Sequence, residues 1–194
     1  MSGWFRLLPL HLKFMARDDI RFPAPMPGNS FRGAFGAAFR RLVCVPGCPG
    51  AATCAIRDRC PYARMFEPRS SGGGPSGLAD HPRPFVFRAE RLAGRRIAPG
   101  EEFSVDLYLF EFRQPCLEDF LRGCDLMARG GLGPGRGRAE LVSAGLLDAH
   151  RRSAAVVWRQ GTPWPSSAPP LRISLAAPRR SVSRLLVRFC TPTE

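Results

Sequence analysis

The sequence predicts an α+β fold built on one sheet and carrying a small cysteine-rich insertion. Three observations predict it. Leu8, Leu10, Leu12 and Phe14 alternate with Pro9, His11 and Lys13, the period of two of a strand with one buried face. Phe31, Ala34, Phe35, Ala38, Phe39 and Leu42 recur at helical spacing and form one apolar stripe. Cys44, Cys48, Cys54 and Cys60 then fall within one short segment, with gaps of three, five and five residues.

In chain order, Trp4 to Met15 is the first strand, and Asp18 to Pro27 is a loop marked by Pro23, Pro25 and Pro27. Asn29 or Ser30 is placed to cap the helix that follows. Arg32, Arg40 and Arg41 lie off its apolar stripe. Residues 44–66 form the cysteine-rich insertion, and the Ser/Gly-rich residues 69–79 read as a flexible linker. Phe85 to Arg88 and Phe103 to Phe112 read as strands, with Pro99-Gly100 as the turn before the second. Leu117, Phe120, Leu121, Cys124 and Met127 give the next helix face. A glycine-rich loop, Gly130 to Arg138, leads into an apolar strand over Ala139 to Leu147. The order strand, helix, strand, strand, helix, strand is the split βαβ arrangement, ferredoxin-like and RRM-like. It spans residues 1–150. Residues 151–194 read as a linker and the first strands of a second, incomplete ferredoxin-like domain, with strands expected at Ala154–Trp158, Leu171–Ala176 and Leu185–Phe189.

The charge narrows the partner. A net charge of +13 implies an anionic ligand, most often nucleic acid. Lys13 is the only lysine, so arginines supply almost all of the positive charge. The glycine loop excludes two phosphate-binding motifs. No Gly-Lys-Ser/Thr follows it, and its glycines close a helix instead of opening one. Its exposed N–H groups suit an RNA phosphate backbone, with Gly131, Gly133, Gly135, Arg136 and Arg138 as contacts beside Arg32, Arg40 and Arg41. The alternative is a plain glycine-rich turn. No run approaches the ~20 apolar residues of a membrane span. Seven cysteines without a visible export signal point to reduced thiols or a metal, and to a cytoplasmic protein. Cys44, Cys48, Cys54 and Cys60 are expected to hold a structural zinc. The alternatives are free buried cysteines or a former metal site held by packing.

Several motifs in order carry a family resemblance. They are Asn29-Ser30-Phe31-Arg32-Gly33-Ala34-Phe35-Gly36, Cys60-Pro61-Tyr62-Ala63-Arg64-Met65-Phe66-Glu67, Arg83-Pro84-Phe85-Val86-Phe87, Pro99-Gly100-Glu101, Gly130 to Arg138, and Leu185 to Thr193. In this order they resemble the CRISPR repeat-processing endoribonucleases, the Cas-six type of the RAMP superfamily. The resemblance implies two tandem ferredoxin-like domains and a glycine loop near bound RNA. It also implies metal-independent cleavage of CRISPR repeat RNA to crRNA, by 2′-OH attack giving a 2′,3′-cyclic phosphate. Other CRISPR effector subunits are further expected partners. Two departures stand out. The sequence stops after the first strand of the expected second domain, and the first helix has no histidine.

The chemistry needs a base, an acid and a cation on the phosphorane. Among the three histidines, His81 and His11 lead His150 as catalytic candidates, with Arg32 as the transition-state cation. A second reading is a non-catalytic RAMP subunit that holds guide RNA. A third, a zinc-dependent DNA-binding or scaffold protein, fits the order of motifs poorly.

Overall fold

A computed structural model describes residues 4–50, 53–68, 83–110, 117–174, 183–184 and 186. The expected linker at 69–79, His81, Cys116, Cys190 and all of the Leu185–Phe189 strand except Leu186 lie outside these residues.

Strand β1 (Trp4–Ala16) is central. It pairs antiparallel with β5 (Glu102–Phe110) on one side and β6 (Ala139–Leu147) on the other. β3 (Phe85–Arg88) pairs outside β5, giving the order β3-β5-β1-β6. With helix α1 (Pro27–Val43) after β1 and α3 (Leu117–Gly130) after β5, this is the ferredoxin-like topology. A short helix α2 (Pro61–Phe66) lies in the cysteine-rich insertion. A two-residue ladder of β2 (Ile20–Arg21) and β4 (Arg96–Ile97) lies beside the main sheet.

Two of the three strands expected to open a second domain instead extend this sheet. β7 (Ser153–Arg159) pairs with β6, and β8 (Leu171–Ser174) pairs with Trp4–Leu7 of β1. β6 reaches only to Leu10 of β1, and the backbone beyond is left open. β8 satisfies it, as any unpaired ladder edge must be satisfied.

The start of α1 also departs from expectation. Neither Asn29 nor Ser30 caps it. Pro27 occupies the first turn after Met26, which adopts φ 50. Proline suits that position because its missing N–H would have no partner there.

One face of the sheet holds the core. Leu8, Leu10, Leu12 and Phe14 of β1 and Phe103, Val105, Leu107 and Leu109 of β5 are buried under α1 and α3. Phe35 is the hub, with ring centroids of Phe120 at 5.1 Å, Phe39 at 5.2 Å and Phe87 at 5.3 Å. Helical spacing puts Phe31, Phe35 and Phe39 on one line down α1, so one helix face meets both the sheet and α3. The other sheet face carries no helix among the described residues. The alternate residues of its strands point there: His11 and Lys13 of β1, Ser104, Asp106, Tyr108 and Phe110 of β5, and Val86 and Arg88 of β3.

Candidate functional site

The open face brings three chemically active side chains together. The β1–β5 register sets His11 directly opposite Asp106. His11 Nδ1 lies 2.7 Å from Asp106 Oδ1, and Arg151 Nη2 donates to Asp106 Oδ2 at 3.0 Å. Arg151 comes from the β6–β7 turn, where it adopts φ 62, an uncommon backbone for a residue with a Cβ. Asp148 holds that turn by accepting from the N–H groups of His150 and Arg152. Arg151 also lies 3.7 Å from Glu90, which pairs with Arg88 at 2.8 Å. The Arg88 guanidinium in turn sits 5.7 Å from the centre of the Tyr108 ring.

This network defines the state of its carboxylate. Partial burial pushes the Asp106 carboxyl up, but the hydrogen bonds from His11 and Arg151 outweigh it. Asp106 therefore stays below the usual carboxylate range and is ionised at neutral pH. In a neutral imidazole an ionised Asp106 on Nδ1 favours the tautomer with the proton there, and only in that form is Nε2 an acceptor. His11 also borders a cavity of about 480 Å³ over β1, β6 and β7, lined with Lys13, Ser143, Arg159 and Gln160. The site thus gathers an imidazole, an ionised carboxylate, cations and aromatic rings on the sheet face that carries no helix among the described residues. Single-stranded RNA is recognised on such sheets by stacking and backbone contacts.

The other expected contacts are dispersed. The glycine loop lies where β1 and β6 meet at Ala16 and Ala139. That is five residues from His11, or about 17 Å at ~3.3 Å per strand residue. Its glycines have packing reasons. A Cβ on Gly133 would strike the carbonyl oxygen of Arg21, and one on Gly137 that of Asp19. A Cβ on Gly131 would strike the Arg136 carbonyl within the loop. Only Gly135 of the loop faces open space at an ordinary φ.

The arginines of this region are partnered. Arg138 clamps both carboxylate oxygens of Asp18, at 2.7 and 3.2 Å. Arg136 donates to the Gly130 carbonyl at 3.3 Å, and the Arg41 guanidinium lies beside the same glycine. Two cations at the C-terminal end of α3 complement its dipole. Arg40 donates to the Cys48 carbonyl at 3.4 Å and lies 5.9 Å from the centre of the Tyr62 ring. Arg32 is half-buried in α1.

The four cysteines of the insertion are reduced and adjacent in a line, Cys60 beside Cys44, Cys44 beside Cys48 and Cys48 beside Cys54. Burial, and then the neighbouring Cys60 and Cys48, push the Cys44 thiol up to about 11. As the side chains stand, the described residues hold no set of three or more His, Cys, Asp or Glu gathered about one metal position.

The signal for His11 was its place on the polar side of β1. Asp106 and Arg151 were missed because their relation to it exists only through strand register and a turn.

The fold defines a ferredoxin-like domain whose sheet has one face covered by helices and one that carries no helix among the described residues. The AF_1859_N family model, an N-terminal domain, matches residues 5–170, and the chain belongs to that family. Among solved structures, a chain of the Csm3-Csm4 subcomplex in the type III-A CRISPR-Cas interference complex is similar, with a TM-score of 0.46 and 14% identity. The match covers 80% of this chain and 91% of that one. No curated protein matches the sequence. Among the described residues no helix is long and apolar enough to cross a membrane.

Proposed function

We propose that this chain is a CRISPR-associated RNA-binding protein of the RAMP type that holds repeat RNA across its open sheet face and cleaves it there without a catalytic metal. The observation that carries the reading is the His11–Asp106–Arg151 cluster on that face. The charge of +13 and the order of the sequence motifs support the RNA part.

In the reaction, His11 Nε2 takes the proton of a ribose 2′-OH. The 2′-oxygen forms a bond to the adjacent phosphorus, and the bond from phosphorus to the 5′-oxygen breaks. The leaving 5′-oxygen takes a proton from water, and the hydroxide left behind takes the proton from the His11 imidazolium, which restores the base. Asp106 holds the ring and stabilises the imidazolium that forms. Lys13 and Arg159, which border the same cavity, offset the charge gathering on the phosphorane.

A second reading, a subunit that holds guide RNA without cutting it, is favoured by the lack of a histidine anywhere in α1. One assay separates the two. Labelled CRISPR repeat RNA is incubated with the protein in EDTA, with a scrambled RNA of equal length beside it. The proposal expects a product ending in a 2′,3′-cyclic phosphate from the repeat alone. Tight binding with no product supports the holding role, and no binding at low salt rejects both.

A further inference from the structure

We propose that Cys44, Cys48, Cys54 and Cys60 close around one zinc ion that staples the insertion to the end of α1. The segment from Cys44 to Cys60 has little else to hold it, since Cys60 is its only buried residue among those described. Yet its four thiols lie next to one another, and none is in a disulfide. Two of them are anchored by the fold. Cys44 ends α1, with its N–H bonded to the Arg40 carbonyl at 3.0 Å, and Cys60 precedes α2, with its N–H bonded to the Ile56 carbonyl at 2.9 Å. Cys60 packs with Ala63, Tyr62 and Cys44 in a small apolar cluster of its own.

The other two ride on the loop between these anchors. Gly47 at φ 72 and Gly50 at φ 115 turn that loop back, and a Cβ at either position would meet nothing. Their need is therefore conformational, to return Cys48 and Cys54 toward the anchored pair. Cys48 and Cys54 are partly exposed, and the proposal requires their side chains to rotate out of the line into a tetrahedron as the ion binds.

The chemistry also balances. Four thiols release four protons to solvent as four sulfur–zinc bonds form, leaving a net charge of −2 on the site. Arg40, bonded to the Cys48 carbonyl and stacked toward Tyr62, places a guanidinium beside that charge. This accounts for Arg40 without RNA.

The test is elemental analysis of the full chain, purified without chelator, with cobalt substitution as a second readout. The proposal expects about one zinc per chain. It also expects cobalt to give the visible absorption of a tetrahedral thiolate site. Cys48→Ser and Cys54→Ser should each lose the zinc and the cobalt band, while Cys124→Ser, changed in the main core, keeps both. Cys44→Ser and Cys60→Ser touch packed positions, so the two loop variants are the decisive ones, each checked for folding by circular dichroism. The inference is overturned by folded protein that takes up neither metal, or by Cys48→Ser and Cys54→Ser that retain full zinc.

Discussion

The glycine loop and the open sheet face differ in how they use their residues. The loop is conspicuous in sequence, but most of its side chains and glycines are committed to the fold. Gly133 and Gly137 admit the backbone at Asp19 and Arg21, and Arg138 is tied to Asp18. The open face is inconspicuous in sequence. It keeps His11 in hydrogen-bonded contact with an ionised carboxylate beside a cavity. Packing demands explain the first region almost completely. They do not explain an ionic network on a face that no helix covers among the described residues. The contrast teaches that a motif's visibility measures how unusual its backbone is, while chemistry depends on which free groups the fold gathers.

The largest effect that can break this contrast is on stability. Gly133→Val puts a β-branched residue at φ 68 against the Arg21 carbonyl, and should cost about 3 kcal/mol or more. Gly135→Ala, in open space in the same loop, should change stability by less than about 0.5 kcal/mol. Thermal denaturation compares the two. Equal shifts would contradict the packing account of the loop.

Next in size is Asp106→Ala, which strands His11, leaves Arg151 only its longer contact to Glu90, and should cost about 1–3 kcal/mol. The pH dependence has a definite sign. The folded Asp106 sits below its ordinary value, so its contribution is fully present above about pH 4 and is lost as pH falls through the folded value. Denaturant titrations of wild type and Asp106→Ala should therefore converge in acid. A gap that widens in acid would show the opposite linkage.

A smaller effect concerns affinity. Lys13 is exposed on the open face and makes no ion pair among the described residues. Lys13→Ala should flatten the dependence of log K on log salt by about 0.7, the release of one counterion from single-stranded RNA. Arg138→Ala removes a cation already paired with Asp18, and should alter the slope less. The reverse ranking would move the RNA to the loop.

Much of the fold was legible because it rests on local periodicity. The alternation in β1 and β5, the phenylalanine line of α1 and the strand at Ala139–Leu147 all match the structure. The sheet memberships of β7 and β8 were not legible, because a strand's partner is chosen by which edge lies open, and β8 finds its edge at the far end of the chain, on Trp4–Leu7. The site was half legible. His11 stood out by residue type, but Asp106 is 95 residues from it and meets it only through register. Arg151 reads as an ordinary arginine until the turn at Asp148 aims it inward.

The central claim, that RNA chemistry belongs to the open face, is tested most directly by single-turnover cleavage of labelled repeat RNA in EDTA. His11→Ala and Arg136→Ala are compared with wild type, and RNA affinity is measured on the same samples. The account predicts that His11→Ala slows formation of the cyclic phosphate by about 10²–10⁴-fold while RNA still binds, and that Arg136→Ala cuts at nearly the wild-type rate. Cleavage that survives in His11→Ala and is lost in Arg136→Ala would contradict it.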